Sequence, residues 1–193
     1  MPWGMSQYDL SLSARRPALE QSVEQSLAVM LPKQLPDIAR IVEVFESIPH
    51  CRALGMTVVE LRHGQGFMTV PYDPALVGNP GTGVVHGGVI TALLDTLCGL
   101  VVMASVPPGT ALATLDLRID YLRPATPRVA IMGSAACDKV TESIAFVRGH
   151  AYQETFRDPV ATCAGTFILG ATGFTAEAAA AARAGGKPGG SAP

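Results

Sequence analysis

The sequence predicts an α+β domain in which an antiparallel sheet packs against one long apolar helix. Three observations carry this. Val84–Ala104 places Val89, Ile90, Leu93, Leu94, Leu97, Val101 and Ala104 at helical spacing, so one face of a helix is made for burial. Two strand-like segments precede it and four follow, joined by turn-rich connections, which implies mostly antiparallel pairing. One face of that sheet needs a cover, and the long helix has the apolar stripe to supply it.

The elements follow in chain order. Met1–Leu31 is mixed, with a candidate helix over Ala18–Met30, and residues 1–35 are expected to form an N-terminal extension, exposed or docked on a partner. Asp37–Ile48 reads as a short helix capped by Asp37, with Ile38, Ile41, Val42, Phe45 and Ile48 as its apolar stripe and Pro49 as its stop. Leu54–Leu61 and Phe67–Tyr72 are strand-like around a Gly-containing turn. His63 falls in that turn and His50 in a loop. Ala75–Val85 is the loop into the long helix, and Pro107-Pro108-Gly109 is the turn out of it. Ala111–Leu122 alternates, with Ala113, Leu115, Leu117, Ile119 and Tyr121 on one face and Thr114, Asp116, Arg118 and Asp120 on the other. Val129–Cys137, Ser143–Gln153 and Val160–Leu169 complete the strands. Residues 36–170 are therefore the folded domain. Residues 171–193, rich in Ala, Gly and Pro, are expected to be a disordered tail.

Composition narrows the function. The chain has 193 residues, 48% apolar and 16% charged, with a net charge of −2. That gives no basic surface for nucleic acid and no polybasic membrane anchor. The apolar stretch around the helix is broken by prolines, so no membrane span is expected. Cys51, Cys98, Cys137 and Cys163 show no paired spacing, which fits reduced thiols and a cytoplasmic location. No basic region followed by an apolar core opens the chain, so no signal peptide is expected. His50, Cys51 and His63 lack ligand spacing, and no metal is expected.

The chemistry concentrates at the long helix. Gly87 and Gly88 expose backbone N–H groups at its positive end, a place for developing negative charge such as the oxyanion of an attacked carbonyl. Asp95 is a carboxylate inside an apolar stripe, which calls for a partner or a catalytic role. The two features lie eight residues apart, about 12 Å along one helix at 1.5 Å per residue. A base and an oxyanion site must share one reacting group, so one helix cannot supply both. Two helices related by a twofold axis can, and an active site here implies at least a dimer. His86 caps or orders the turn. Asn79 either directs its amide at water or carbonyl, or simply forms a turn before Pro80.

His86-Gly87-Gly88 followed by Asp95 resembles the HGG-x(6)-D signature of hotdog-fold acyl-CoA thioesterases of the phenylacetate-pathway (PaaI-like) type. Thr114–Ala125 is similar to that family's central strand, which often ends in an aromatic, a short spacer and Pro-Ala. The likeness covers about Cys51 to Gly170. It implies a hotdog fold and hydrolysis of an acyl-CoA thioester to free acid and coenzyme A. Gly87 N–H would polarise the carbonyl, His86 would fix the turn, and Asp95 would act as general base or nucleophile. Thr114 would help place the water, provided that a bend or strand end turns it inward. In the family an asparagine precedes the histidine at an offset one shorter than that of Asn79. Gly88, Val89, Leu93 and Arg123 would contact substrate, with Phe45 and Met68 as further pocket walls. Arg123 and Arg118 suit coenzyme A phosphates, while Arg118 has a surface alternative in Asp116 or Asp120. No cofactor is implied beyond the coenzyme A of the substrate. The assembly would be a homodimer or a dimer of dimers. The alternatives are a hotdog enoyl-CoA hydratase or dehydratase and a non-catalytic acyl-CoA-binding hotdog protein.

Overall fold

The computed structural model describes residues 36–170. The expected Ala18–Met30 helix and the tail from residue 171 lie outside the described residues.

Helix α1 (Ile38–Ser47) starts where Asp37 accepts the Arg40 N–H at 3.1 Å, and it buries Ile41, Val44 and Phe45. Pro49 does more than stop it. Proline suits the first helical turn, where its missing N–H costs nothing, and a second short helix, α2 (Pro49–Ala53), begins on it. His50, expected in a loop, is therefore helical. Strands β1 (Thr57–Arg62) and β2 (Gln65–Val70) form a hairpin closed by His63-Gly64, with Gly64 at φ 76°. A second small pair, β3 (Val77–Asn79) with β4 (Val84–Val85), stiffens the segment read as a loop. Helix α3 (Gly87–Met103) follows, and then β5 (Leu112–Tyr121), β6 (Ile131–Val140), β7 (Ile144–Tyr152) and β8 (Ala161–Leu169).

The six long strands form one sheet in the order β1-β2-β6-β7-β8-β5, every neighbour antiparallel. The chain crosses from β2 near one edge to β5 at the other, and α3 makes that crossing over one sheet face. Leu93, Leu94, Leu97, Leu100 and Val101 are fully buried there, each contributing roughly 1.5–3 kcal/mol of transfer free energy. Two glycines seat the helix. A Cβ at Gly66 would stand 2.9 Å from Val101 Cγ2, and one at Gly133 would stand 3.0 Å from Leu97 Cδ2. A side chain at either position would have to displace Val101 or Leu97 from its seat.

Strand β5 departs from simple alternation. A bulge between Thr114 and Asp116 inserts Leu115 without a partner. Thr114 pairs with Phe167, whose ring is buried toward α3, and beyond the bulge Leu117 and Ile119 pair with Gly165 and Cys163. Residues directly opposite share a face. Thr114 thus shares the helix-facing side with Leu117, Ile119 and Tyr121, while Leu115 is 60% exposed. The strict two-face pattern expected for Ala111–Leu122 is corrected by that one extra residue.

Candidate active site

The start of α3 is built by the loop before it. The His86 N–H donates to the Leu76 carbonyl at 2.8 Å, and Gly78 lets the two strands of the loop meet, since a Cβ there would lie 2.7 Å from His86 Cα. This sets His86 at the N-cap. Its Nδ1 accepts the Gly88 N–H at 2.9 Å, and its carbonyl accepts the Val89 N–H at 3.0 Å. A neutral imidazole that accepts at Nδ1 carries its proton on Nε2. His86 therefore works as a cap, and the Gly88 N–H is consumed by it. The Gly87 N–H has no acceptor among the described residues and sits at the positive end of the helix.

Tyr121, at the end of β5, secures the same turn. Its hydroxyl donates to the Gly87 carbonyl at 2.8 Å and lies 2.9 Å from the Thr91 hydroxyl. Sequence reasoning gave Tyr121 no role at the site. The signal available was its place as the aromatic that ends the strand motif.

Asp95 lies two turns further along α3 and is half-buried. The Thr114 hydroxyl donates to Asp95 Oδ1 at 2.9 Å. The bulge at Leu115 is the bend that this contact requires. Asp95 and Thr114 line a cavity of about 290 Å³, whose other walls include Phe45, Ile48, Cys51, Gly99, Leu112 and Phe167. His50, from α2, also reaches it. Burial pushes the Cys51 thiol up from its ordinary value, against a smaller opposing hydrogen bond with Thr96; Cys51 is a neutral wall group.

The structure places the remaining expected residues elsewhere. Asn79 is exposed, and its Oδ1 accepts the Gly81 N–H at 3.0 Å, forming the turn. Val89 and Leu93 are buried in the core, Leu93 over Gly133 of β6, and Met68 is equally enclosed; none of the three lines the cavity beside Asp95. Arg123 is held by the β7–β8 turn: its Nη2 donates to the Asp158 carbonyl at 3.0 Å and its Nε lies 3.0 Å from the Asp158 carboxylate. Arg118 pairs with Asp120 at 3.0 Å on the surface. Both guanidinium groups thus have partners within the chain. Among the described residues no group of three or more His, Cys, Asp or Glu side chains converges as metal ligands would, and no helix is long and apolar enough to cross a membrane.

Residues 82–159, which include α3, Asp95 and Thr114, match the family model described as thioesterase superfamily. The medium/long-chain acyl-CoA thioesterase YigI of Escherichia coli is 33% identical over 90 residues, covering 40% of this chain and 58% of its own length. The chain spans about half the length of the curated relatives it matches. A Pseudomonas aeruginosa protein of known structure is 41% identical, with a TM-score of 0.62 over 69% of this chain and 98% of that one. A variant of the phenylacetic acid degradation protein PaaI from Thermus thermophilus is 25% identical, with a TM-score of 0.55 over 62% of this chain and 97% of that one. With an antiparallel sheet packed on a long helix that opens in His-Gly-Gly, the described residues have the hotdog fold and carry, over residues 82–159, a thioesterase-superfamily domain.

Proposed function

We propose that the protein hydrolyses an acyl-CoA thioester at sites shared between two copies of the chain. The observation that carries this reading is the Thr114–Asp95 hydrogen bond in the wall of an apolar cavity: a carboxylate fixed in orientation, with Oδ2 free of partners among the described residues, beside space for an acyl group. The relatedness to an acyl-CoA thioesterase supports the substrate class.

In this reading the thioester carbonyl oxygen rests on the Gly87 N–H of one subunit. Asp95 of the partner subunit takes a proton from water, whose oxygen bonds to the carbonyl carbon. The oxyanion is held by the amide at the helix start. It collapses with cleavage of the C–S bond, and the departing thiolate recovers the proton from Asp95. The products are the free acid and coenzyme A. No metal or redox cofactor has a part in these steps.

Two features support a shared site. Gly87 and Asp95 lie on one straight helix, about 12 Å apart along its axis at 1.5 Å per residue, so neither copy is complete alone. Strand β5, which carries Thr114 and Tyr121, is an edge strand of ten residues whose outer side pairs with no other strand among the described residues, with Leu115 exposed on it and Leu122 exposed just past its end, a surface that invites pairing. A turnover screen over acyl-CoA esters, beside Asp95→Asn and with mass measured in solution, tests the reading. Release of free thiol by the wild type, a loss of about 10²-fold or more in the variant, and an even-numbered oligomer are the expected results. Undiminished turnover by Asp95→Asn, or activity confined to a monomer, would overturn it.

A further inference from the structure

We infer that the cavity behind Asp95 is an acyl subsite of limited depth, taking a single aromatic ring or a medium-length chain, and that Gly99 and Phe167 set its floor. This rests on the hydrolytic reading above and adds to it which acyl groups are accepted.

Depth follows from the helix. Asp95 and Gly99 both line the cavity, and they are one turn apart on α3, about 6 Å. Gly99 faces the Phe167 ring and Leu112, which line the same cavity and are buried in the core. Phe167 is the residue directly opposite Thr114 on β8, so it and the threonine that holds the carboxylate belong to adjacent strands. Phe45 and Ile48 of the α1–α2 segment form the outer wall.

Volume points the same way. The cavity of about 290 Å³ lies at the foot of the range for small-molecule pockets, about 300–1,000 Å³. A space at that end of the range suits a small acyl group, and a much longer chain leaves its end outside. The space above Gly99 is open enough for a methyl: a Cβ there would sit 3.4 Å from Phe167 Cε1 and 4.0 Å from Leu112 Cδ1, ordinary contact. Glycine at this helix position is thus not demanded by packing, and its missing side chain is what leaves the cavity its depth.

The test uses the full chain, butyryl-, octanoyl-, phenylacetyl- and palmitoyl-CoA as substrates, and the matching non-hydrolysable thioether analogues for calorimetry. Wild type is expected to prefer octanoyl and phenylacetyl esters to palmitoyl. Gly99→Ala is expected to lower the octanoyl-to-butyryl ratio of kcat/KM by about tenfold or more, the scale on which a hydrophobic pocket senses a methylene. Phe167→Leu, if folded, is expected to move the preference toward longer chains. Palmitoyl-CoA turned over as well as octanoyl-CoA, or an unchanged ratio in Gly99→Ala, would overturn the inference. The thioether analogues separate the two proposals. Octanoyl analogue binding that Gly99→Ala weakens, with no turnover of any ester, would sink hydrolysis and keep the subsite. Binding indifferent to Gly99 would sink the subsite whatever the turnover.

Discussion

The Tyr121 hydroxyl donates to the Gly87 carbonyl at 2.8 Å, joining the far end of β5 to the first turn of α3. That bond fixes the peptide next to the one whose N–H, in the proposed mechanism, receives the carbonyl oxygen, so on that reading it positions the donor without touching substrate. Tyr121→Phe keeps the ring over Gly87 and removes the hydroxyl's contacts with the Gly87 carbonyl and the Thr91 hydroxyl. The expected loss in transition-state stabilisation is about 0.5–1.5 kcal/mol, read as a fall in kcat with little change in the urea midpoint. A stability loss with kcat intact would make Tyr121 merely structural.

Thr114 and Asp95 form the second linked pair, and three variants separate their roles. Asp95→Asn is expected to lower kcat by about 10²–10⁴-fold. Thr114→Ala should cost less, since the carboxylate remains but turns more freely. Thr114→Ser should recover most of that loss, because it restores the hydroxyl. Steady-state kinetics on one octanoyl ester suffices to rank them.

His86 caps α3 through Nδ1. Replacing a side-chain cap by alanine typically costs about 0.5–2 kcal/mol, and His86→Ala is expected to fall in that range in equilibrium urea unfolding. Asn at the same position can also accept from the helix start. His86→Asn should regain most of the stability, and with it most of the turnover if His86 acts only by holding the turn. Full stability with turnover still lost would instead assign the imidazole a direct chemical part.

A pH-dependent contribution comes from the surface. The Arg148 guanidinium, hydrogen-bonded to Asp138 with Nη2–Oδ1 at 3.0 Å, holds the Asp138 carboxyl below its ordinary value. A carboxyl depressed in the folded state binds its proton more readily when unfolded. Its contribution is therefore present above the ordinary carboxylate value and lost as pH falls through the folded one. The pair is exposed and screened by salt, so the effect is small. In thermal melts, Asp138→Asn should sit slightly below wild type at neutral pH and converge with it in acid.

The buried thiols give a prediction about reactivity. Cys98 of α3 and Cys163 of β8 lie with their sulfurs 3.7 Å apart, both free and buried. The shared S–H···S contact and burial push Cys98 far above its ordinary value, so it stays a neutral thiol, poorly nucleophilic. The same contact draws the Cys163 thiol below its ordinary value, so an Ellman titration of the native protein is expected to leave Cys98 unreacted until global unfolding, with Cys163 the first of the two to label.

Most of the fold was legible because burial writes a period into the sequence. The apolar spacing of α3 and the order of strands around it required no partner to interpret. The site was legible where a residue type conflicts with its surroundings: Asp95 among leucines, two glycines at a helix start. What could not be read was where local irregularity decides the outcome. Leu115 is an ordinary strand residue by composition, yet its bulge is what brings Thr114 to Asp95. Pro49 was legible as a helix stop but not as the start of another helix, and so the approach of His50 and Cys51 to the cavity was invisible. Arg123 looked available for phosphate because its partner, Asp158, is distant in sequence. Val89 and Leu93 shared the helix with Asp95, but which residues of an apolar helix meet a cavity and which meet the sheet depends on how the helix is rotated in place.

That rotation is locked far from the chemistry. The side chains of Leu97 and Val101 rest in the notches left by Gly133 and Gly66 like a shaft held in two detents, and the helix cannot slip by a turn without losing both. The height of the carboxylate above the cavity is therefore an inherited constant of the scaffold. On the proposed reading, a different acyl group has to be met by the cavity walls alone.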